Sequence, residues 1–195
     1  MTSTSTHGTS LIVRLKDNDT GAWNEMVELY APLIFHWCVQ RGLQSSDAAD
    51  IMQEVFSKAA SAVHQFQSNL NGSLRGWLWV ITQNKIRDFW RKQNHQVNSV
   101  GGTEANLRFS QLIDSHNQTQ DDELTGELEN TRFLYRALEQ IKVDFQPNTW
   151  KAFWRTTVDG VETSAVAKEL GLSQNSIRQA KSRVLRRLRE QLGEV

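Results

Sequence analysis

Between Glu162 and Leu192 the chain reads ETSAVAKELGLSQNSIRQAKSRVLRRLREQL, a pattern with few ways to fold: a short helix, a sharp turn, then a longer amphipathic helix. Thr163 or Ser164 is placed to cap the short helix, Ala167 is small where two helices must cross closely, and Gly171 sits at the turn, where positive φ is needed. Ser173 then stands at the cap of the second helix, and Ile177 falls where an apolar side chain locks it against the first. At helical spacing Ile177, Ala180, Val184, Leu188 and Leu192 lie along one side, and Asn175, Arg178, Gln179, Ser182, Arg183, Arg186, Arg187 and Arg189 spread over the rest. One face packs and the other is cationic. An arginine-rich amphipathic helix alone is an ordinary solvated surface; joined to this turn it reads as a DNA-binding helix-turn-helix.

The whole chain does not share that charge. Its 195 residues carry 22 Lys and Arg against 22 Asp and Glu, a formal net charge of +0. Neutrality is an average over a basic final helix and an acidic segment holding Asp114, Asp121, Asp122, Glu123, Glu127 and Glu129. Such segregation suits local contact with nucleic acid, not bulk attraction to it. With 38% hydrophobic residues, a folded soluble protein of one domain or two small ones is expected.

Function classes fall away on the same grounds. Cys38 is the single cysteine, which excludes an internal disulfide, gives no thiol cluster for zinc and fits a reducing cytoplasm. His36 and Cys38 are two residues apart and point away from one another on a helix, and His64 adds no metal-binding spacing, so no catalytic residue, metal or cofactor is expected. The start, MTSTSTHGTS, lacks the pattern of a signal peptide and reads as a disordered tail over residues 1–10, and no run elsewhere is long and apolar enough to span a bilayer.

Apolar residues recur at helical spacing with no alternating strand pattern, so the fold class expected is all-α: two small helical domains joined by a flexible linker. The first domain, 11–92, opens with a short turn over Leu11–Lys16 and a helix from about Thr20 to Arg41, burying Trp23, Met26, Val27, Tyr30, Ile34, Trp37 and Cys38 and interrupted or kinked at Pro32. A second helix starts after Ser45 or Ser46, buries Ile51, Val55, Ala59, Ala62 and Val63, and carries Asp47, Asp50, Gln53 and Glu54 as a polar patch. After the loop 65–72, Ser73 caps a third helix running through Lys92. Its core stripe is Leu74, Trp77, Leu78, Ile81 and Phe89, widened by Trp79, Ile86 and Trp90. On the opposite side Asn84, Arg87 and Arg91 align as donors for phosphates or bases. A polar linker is expected over 93–123, with an apolar island at 109–113. The second domain, 124–195, resumes with Leu124, Leu128, Phe133, Leu134, Leu138 and Ile141, and Pro147 opens a helix carrying Trp150, Phe153 and Trp154 before the helix-turn-helix.

DAADIMQEVFSKA, LRGWLWVITQNKIRDFWRK and the helix-turn-helix, in this order and separation, resemble the extracytoplasmic-function subfamily of bacterial RNA polymerase sigma factors. The resemblance implies no enzyme but a factor that binds core RNA polymerase and directs promoter recognition, DNA melting and transcription initiation in the cytoplasm. It implies that Asp47, Asp50, Gln53 and Glu54 dock on the clamp coiled coil, that the flap is a second polymerase contact, and that an anti-sigma protein is a further candidate partner. It places Asn69 and Asn71, in the loop that captures a flipped base, with Trp77, Trp79, Asn84, Arg87 and Arg91 on the minus-ten nontemplate single strand. On the minus-thirty-five duplex it places Gln174, Asn175, Arg178 and Gln179 near base edges, with Lys181, Ser182, Arg183, Arg186 and Arg187 behind them and the last arginines toward phosphates.

Two positions depart from the family pattern: Lys181 stands where an apolar residue is common and Ala180 where a basic one is, which leaves the register of base contacts open between a snorkelling and a phosphate-binding Lys181. A stand-alone helix-turn-helix repressor or activator is the alternative. It would bind duplex DNA as a dimer and would have no use for the Asp47–Glu54 patch or the Trp77–Arg91 helix.

Overall fold

The computed structural model describes residues 10–67, 72–98 and 120–193. Every regular element among them is helical: α1 (Leu11–Lys16), α2 (Thr20–Gln40), α3 (Ser45–Ala62) with a 3₁₀ turn (Val63–Gln65), α4 (Leu74–Asn98), α5 (Gln120–Lys142), α6 (Pro147–Thr157), α7 (Thr163–Leu170) and α8 (Gln174–Gln191). The chain divides into two compact units, residues 23–134 and residues 135–195 together with the first 22.

In the unit 23–134, Met26, Leu29, Tyr30, Leu33, Ile34 and Cys38 of α2 are buried, as are Ala48, Ile51, Val55 and Ala59 of α3 and Leu74, Leu78, Ile81 and Ile86 of α4. The interruption expected at Pro32 does not occur, and α2 runs unbroken through it. Pro32 is exposed, so the carbonyl its missing N–H leaves free is on the wet side, where water can serve it. Val27 is 40% exposed instead of buried, because the α2 stripe is narrower than the apolar residues suggest. Ser73 caps α4 as expected, its Oγ accepting from the Gly76 N–H at 3.1 Å, whereas Gln44 precedes α3 without a side-chain cap and neither Ser45 nor Ser46 serves. Residues 126–134 of α5 close this unit: the Phe133 ring packs 5.1 Å from Tyr30, and Arg75 stacks over Phe133 and hydrogen-bonds Asn130.

The linker expected over 93–123 is partly helix, since α4 continues to Asn98 and α5 begins at Gln120; the island at 109–113 lies outside the described residues. Leu128 and Leu134 of α5 are exposed at 53% and 44%, and the buried positions are Phe133, Ala137, Leu138 and Ile141.

The second unit rests on two adjoining clusters. Leu138, Ile141, Phe153 and Val184 form one, and Ala152, Val166, Ala167, Ile177 and Ala180 the other. Three alanines, one on each of α6, α7 and α8, let backbones approach where bulkier residues would hold them apart. Gly171 takes φ +64°, and the Leu172 N–H reaches back to the Ala167 carbonyl at 2.9 Å to end α7. The expected Thr163 or Ser164 cap is not found: Glu162 precedes α7 without a side-chain cap, and the Ser164 hydroxyl donates to its carboxylate at 2.8 Å. Ser173 does cap α8, accepting from the Ser176 N–H at 3.0 Å.

Replacing that cap, Ser173→Ala, should cost about 1 kcal/mol, read as a lowered denaturation midpoint for the second unit with an unchanged far-ultraviolet spectrum before the transition.

Candidate nucleic-acid and protein-docking surfaces

The packed stripe of α8 determines what the helix offers outward. Ile177, Ala180 and Val184 are buried at 1%, 6% and 0%. Gln174, Asn175, Arg178, Gln179, Lys181, Ser182, Arg183, Arg186 and Arg189 are all exposed, and the first turn carries no acidic residue. A helix start of that kind offers free amide and guanidinium donors to base edges and phosphates. At the two positions that depart from the family pattern, Ala180 is packed inward and Lys181 is in solvent.

Arg187 stands apart from the other arginines. Its Nε donates to the Asp144 carboxylate at 2.7 Å, with side chains only 13% and 9% exposed. The pair holds α8 against the turn after α5. A similar internal commitment joins α6 to α7, where Lys151 and Arg155 both pair with Glu169 and Arg155 also with Asp159.

On α4 one outward row runs Trp77, Val80, Asn84, Arg87, Arg91, each about a turn from the next. Asn84 accepts from the Arg87 guanidinium at 3.2 Å, and Arg91 pairs with Asp88 at 3.0 Å. Trp77 packs its ring 5.2 Å from Phe66, which is buried at the base of the loop. Trp79 is not on this row. It faces α2, edge-on to Trp37 at 4.9 Å with Arg41 stacked over it at 5.5 Å. Asn69 and Asn71 lie outside the described residues. Val80, 55% exposed, is the member that reading for charge passes over; its offsets of three from Trp77 and four from Asn84 were the available signal.

On α3, Asp50, Gln53 and Glu54 are exposed and Asp47 half-buried. Glu54 is paired with Lys85 of α4 at 2.8 Å, and hydrogen bonding from that ammonium holds its carboxyl below the usual glutamate range. Asp50 is the open acid at the centre of the patch.

A further feature was illegible in sequence: an open groove of about 280 Å³ between α5 and α6, lined by Glu139, Lys142, Trp150, Lys151, Trp154 and Arg155. Trp150 and Trp154 stand 5.8 Å apart, with Phe145 and Tyr135 continuing the aromatic run. Cys38 is buried, and desolvation pushes its thiol up to about 12, so it stays neutral and packs as a small apolar group. Among the described residues no three His, Cys, Asp or Glu side chains gather as a metal site, and no helix is long and apolar enough to cross a membrane.

Residues 26–96 match the family model for sigma-70 region 2. The ECF RNA polymerase sigma factor SigX of Bacillus subtilis (strain 168) is 27% identical over 147 residues, an alignment spanning 73% of this chain and 69% of SigX. SigW of the same organism, also an ECF RNA polymerase sigma factor, is 28% identical over 123 residues, spanning 62% of this chain and 65% of SigW. Among solved structures, the complex of CnrH with the cytosolic domain of CnrY aligns at 18% identity over 91% of this chain and 92% of the other, with a TM-score of 0.38. The RsbN–BldN complex aligns at 16% identity over 91% and 96%, with a TM-score of 0.35.

The Glu54–Lys85 pair makes a pH prediction. A carboxyl whose folded pKa is depressed contributes stability above its unfolded value and loses it as pH falls through the folded value. Lys85→Ala should therefore move the Glu54 titration upward, toward the ordinary glutamate range, in a carboxyl-carbon NMR titration; an unmoved midpoint would show that Lys85 is not the cause.

Proposed function

Because this chain belongs to the extracytoplasmic-function subfamily of bacterial RNA polymerase sigma factors, we propose that it docks on core RNA polymerase through α3 and brings two DNA-reading faces to a promoter. The observation that carries this reading is the pair of outward rows: Asn84, Arg87 and Arg91 on α4 in one unit, and Gln174, Asn175, Arg178 and Gln179 on α8 in the other. Neither row has a role in the core, and each combines amide and guanidinium donors suited to nucleic acid.

In this reading α8 enters the major groove of the minus-thirty-five element. Its first turns meet base edges, and Lys181, Arg183 and Arg186 meet phosphates; Arg187 is left out of the set because Asp144 holds it. The α4 row and the loop that includes Asn69 and Asn71 take the unpaired minus-ten nontemplate strand. Opening needs no hydrolysis, since a protein that binds the single strand better than the duplex shifts the equilibrium by that difference alone. Sigma factors are non-enzymatic initiation factors, in keeping with a mechanism made only of binding.

Asp47, Asp50, Gln53 and Glu54 present acid and amide groups to the clamp coiled coil, where basic partners would steer and orient docking. The groove lined by Trp150 and Trp154 offers aromatic surface for the contact with the flap. An anti-sigma protein would act by covering these same surfaces, and the cytoplasm is the compartment in which all the partners meet. The functional domains proposed are residues 11–92 and 124–195, joined through 93–123.

Two variants separate the roles. Asp50→Lys should abolish co-elution with core polymerase while leaving the protein folded, and it is a cleaner probe than a change at Glu54, which would also break the pair with Lys85. Retained co-elution would remove the α3 assignment. Arg178→Ala should keep polymerase binding but reduce discrimination between promoter and mutated upstream elements by about 1–3 kcal/mol; an equal loss on every sequence would make Arg178 a phosphate contact.

A further inference from the structure

We infer that the aromatic groove between α5 and α6 takes a segment of this same chain, the apolar island Phe109–Ile113. In the groove the indoles of Trp150 and Trp154 stand 5.8 Å apart, and the Tyr135 ring, 44% exposed, tilts against Trp154 at 5.9 Å. Lys142, Lys151 and Arg155 bring three cations to its walls against the one carboxylate of Glu139. Lys142 and Lys151 are both half-exposed, and their ion pairs with Glu139 and Glu169 are of the weak surface kind. An occupant that matches is apolar over a short length and acidic beside it.

The sequence from Phe109 to Asp114, FSQLID, has that form. Phe109, Leu112 and Ile113 are spaced to share one face of a single helical turn. From Phe109 to Glu123 the chain holds Asp114, Asp121, Asp122 and Glu123 and no Lys or Arg. A polar linker has no use for an apolar cluster unless a surface elsewhere covers it. The chain is also long enough. Residues 99–119 lie outside the described residues, and α5 begins at Gln120. From there the helix rises about 28 Å to Glu139, whereas the stretch from Phe109 to Gln120 extends up to about 37 Å. Doubling back along α5, it can lay Phe109 on the two indoles. Ile113, with about 24 Å of chain to Gln120, comes level with Tyr135, about 22 Å along the helix. A tethered segment meets the groove at an effective concentration on the order of millimolar, so a contact too weak between separate molecules suffices within one. The consequence rests on the reading of this groove as the flap contact: island and flap then compete for the same indoles, and the flap binds only the fraction of molecules whose groove is open.

The test uses the full chain carrying a nitroxide on a cysteine introduced by Ser110→Cys. Cys38 is buried and its thiol is pushed up to about 12, so the label goes to the introduced thiol. The indole N–H signals of Trp150 and Trp154, assigned in NMR spectra through Trp150→Phe and Trp154→Phe, should be broadened by the nitroxide and return when it is reduced. Adding Phe109→Ser and Leu112→Ser to the labelled chain should remove the broadening. A mixture of nitroxide-labelled chain with isotope-enriched chain lacking the label should show none. In a separate measurement the unlabelled Phe109→Ser, Leu112→Ser chain should bind the isolated flap domain about tenfold more tightly than the wild type, the factor expected when the groove is open in about a tenth of molecules.

Trp150 and Trp154 signals that stay sharp beside the nitroxide, or broadening that survives Phe109→Ser and Leu112→Ser, overturn the inference. Broadening in the mixed sample also overturns it, by showing that the occupant belongs to a second copy. Broadening that depends on the island, together with a flap affinity that does not change, establishes the docking and removes the flap reading of the groove instead.

Discussion

Ile177, Ala180 and Val184 decide which side of α8 meets water. A helix can bury only one stripe against its neighbours, and the stripe sets its rotation about its own axis. With these residues seated against α6 and α7, every side chain at other angles is assigned to solvent or to an edge. The same constraint acts on α4, where Leu78, Ile81 and Ile86 point inward and turn Trp77, Val80, Asn84, Arg87 and Arg91 outward. The outward rows are in this sense by-products of core packing, and a repacked core that rotated either helix would move all its outward side chains together.

Charge has two fates in this protein. Where a guanidinium or ammonium finds a carboxylate on another element, it ties the two together: Arg187 to Asp144, Lys85 to Glu54, Arg155 and Lys151 to Glu169. The first of these is nearly buried, so breaking it would strand a charge away from water, whereas the others are half in solvent and individually weak. Where no such partner intervenes, as at Arg178, Lys181 and Arg183, the cation remains in solvent on the outward face of α8. A net charge of zero is consistent with nucleic-acid contact because the two fates are spatially sorted.

Much of this was readable before any coordinates. Periodicity indicated helices throughout, Pro147 and Gly171 marked their punctuation, and Ser73 and Ser173 were identified as caps, because those signals act within a few residues of themselves. The errors have a common source. Of the kink or break expected at Pro32, the break does not occur, and sequence does not show that Pro32 lies on the exposed side of α2. Val27, Leu128 and Leu134 were read as core because apolar character does not state how wide a neighbour's contact will be. The resemblance places Trp79 and Arg187 on DNA, and it carries no signal of the contacts that Trp37 and Asp144 make with them from elsewhere in the chain.

The sequence by itself determined the helical class, the helix-turn-helix and the outward amide and arginine rows on α4 and α8, because each is specified by spacing within one element. Only the tertiary structure decided which charges are already paired and that Trp150 and Trp154 line a groove with residues of α5. These depend on contacts between segments far apart in the chain and on burial by neighbours, for which local spacing carries no signal.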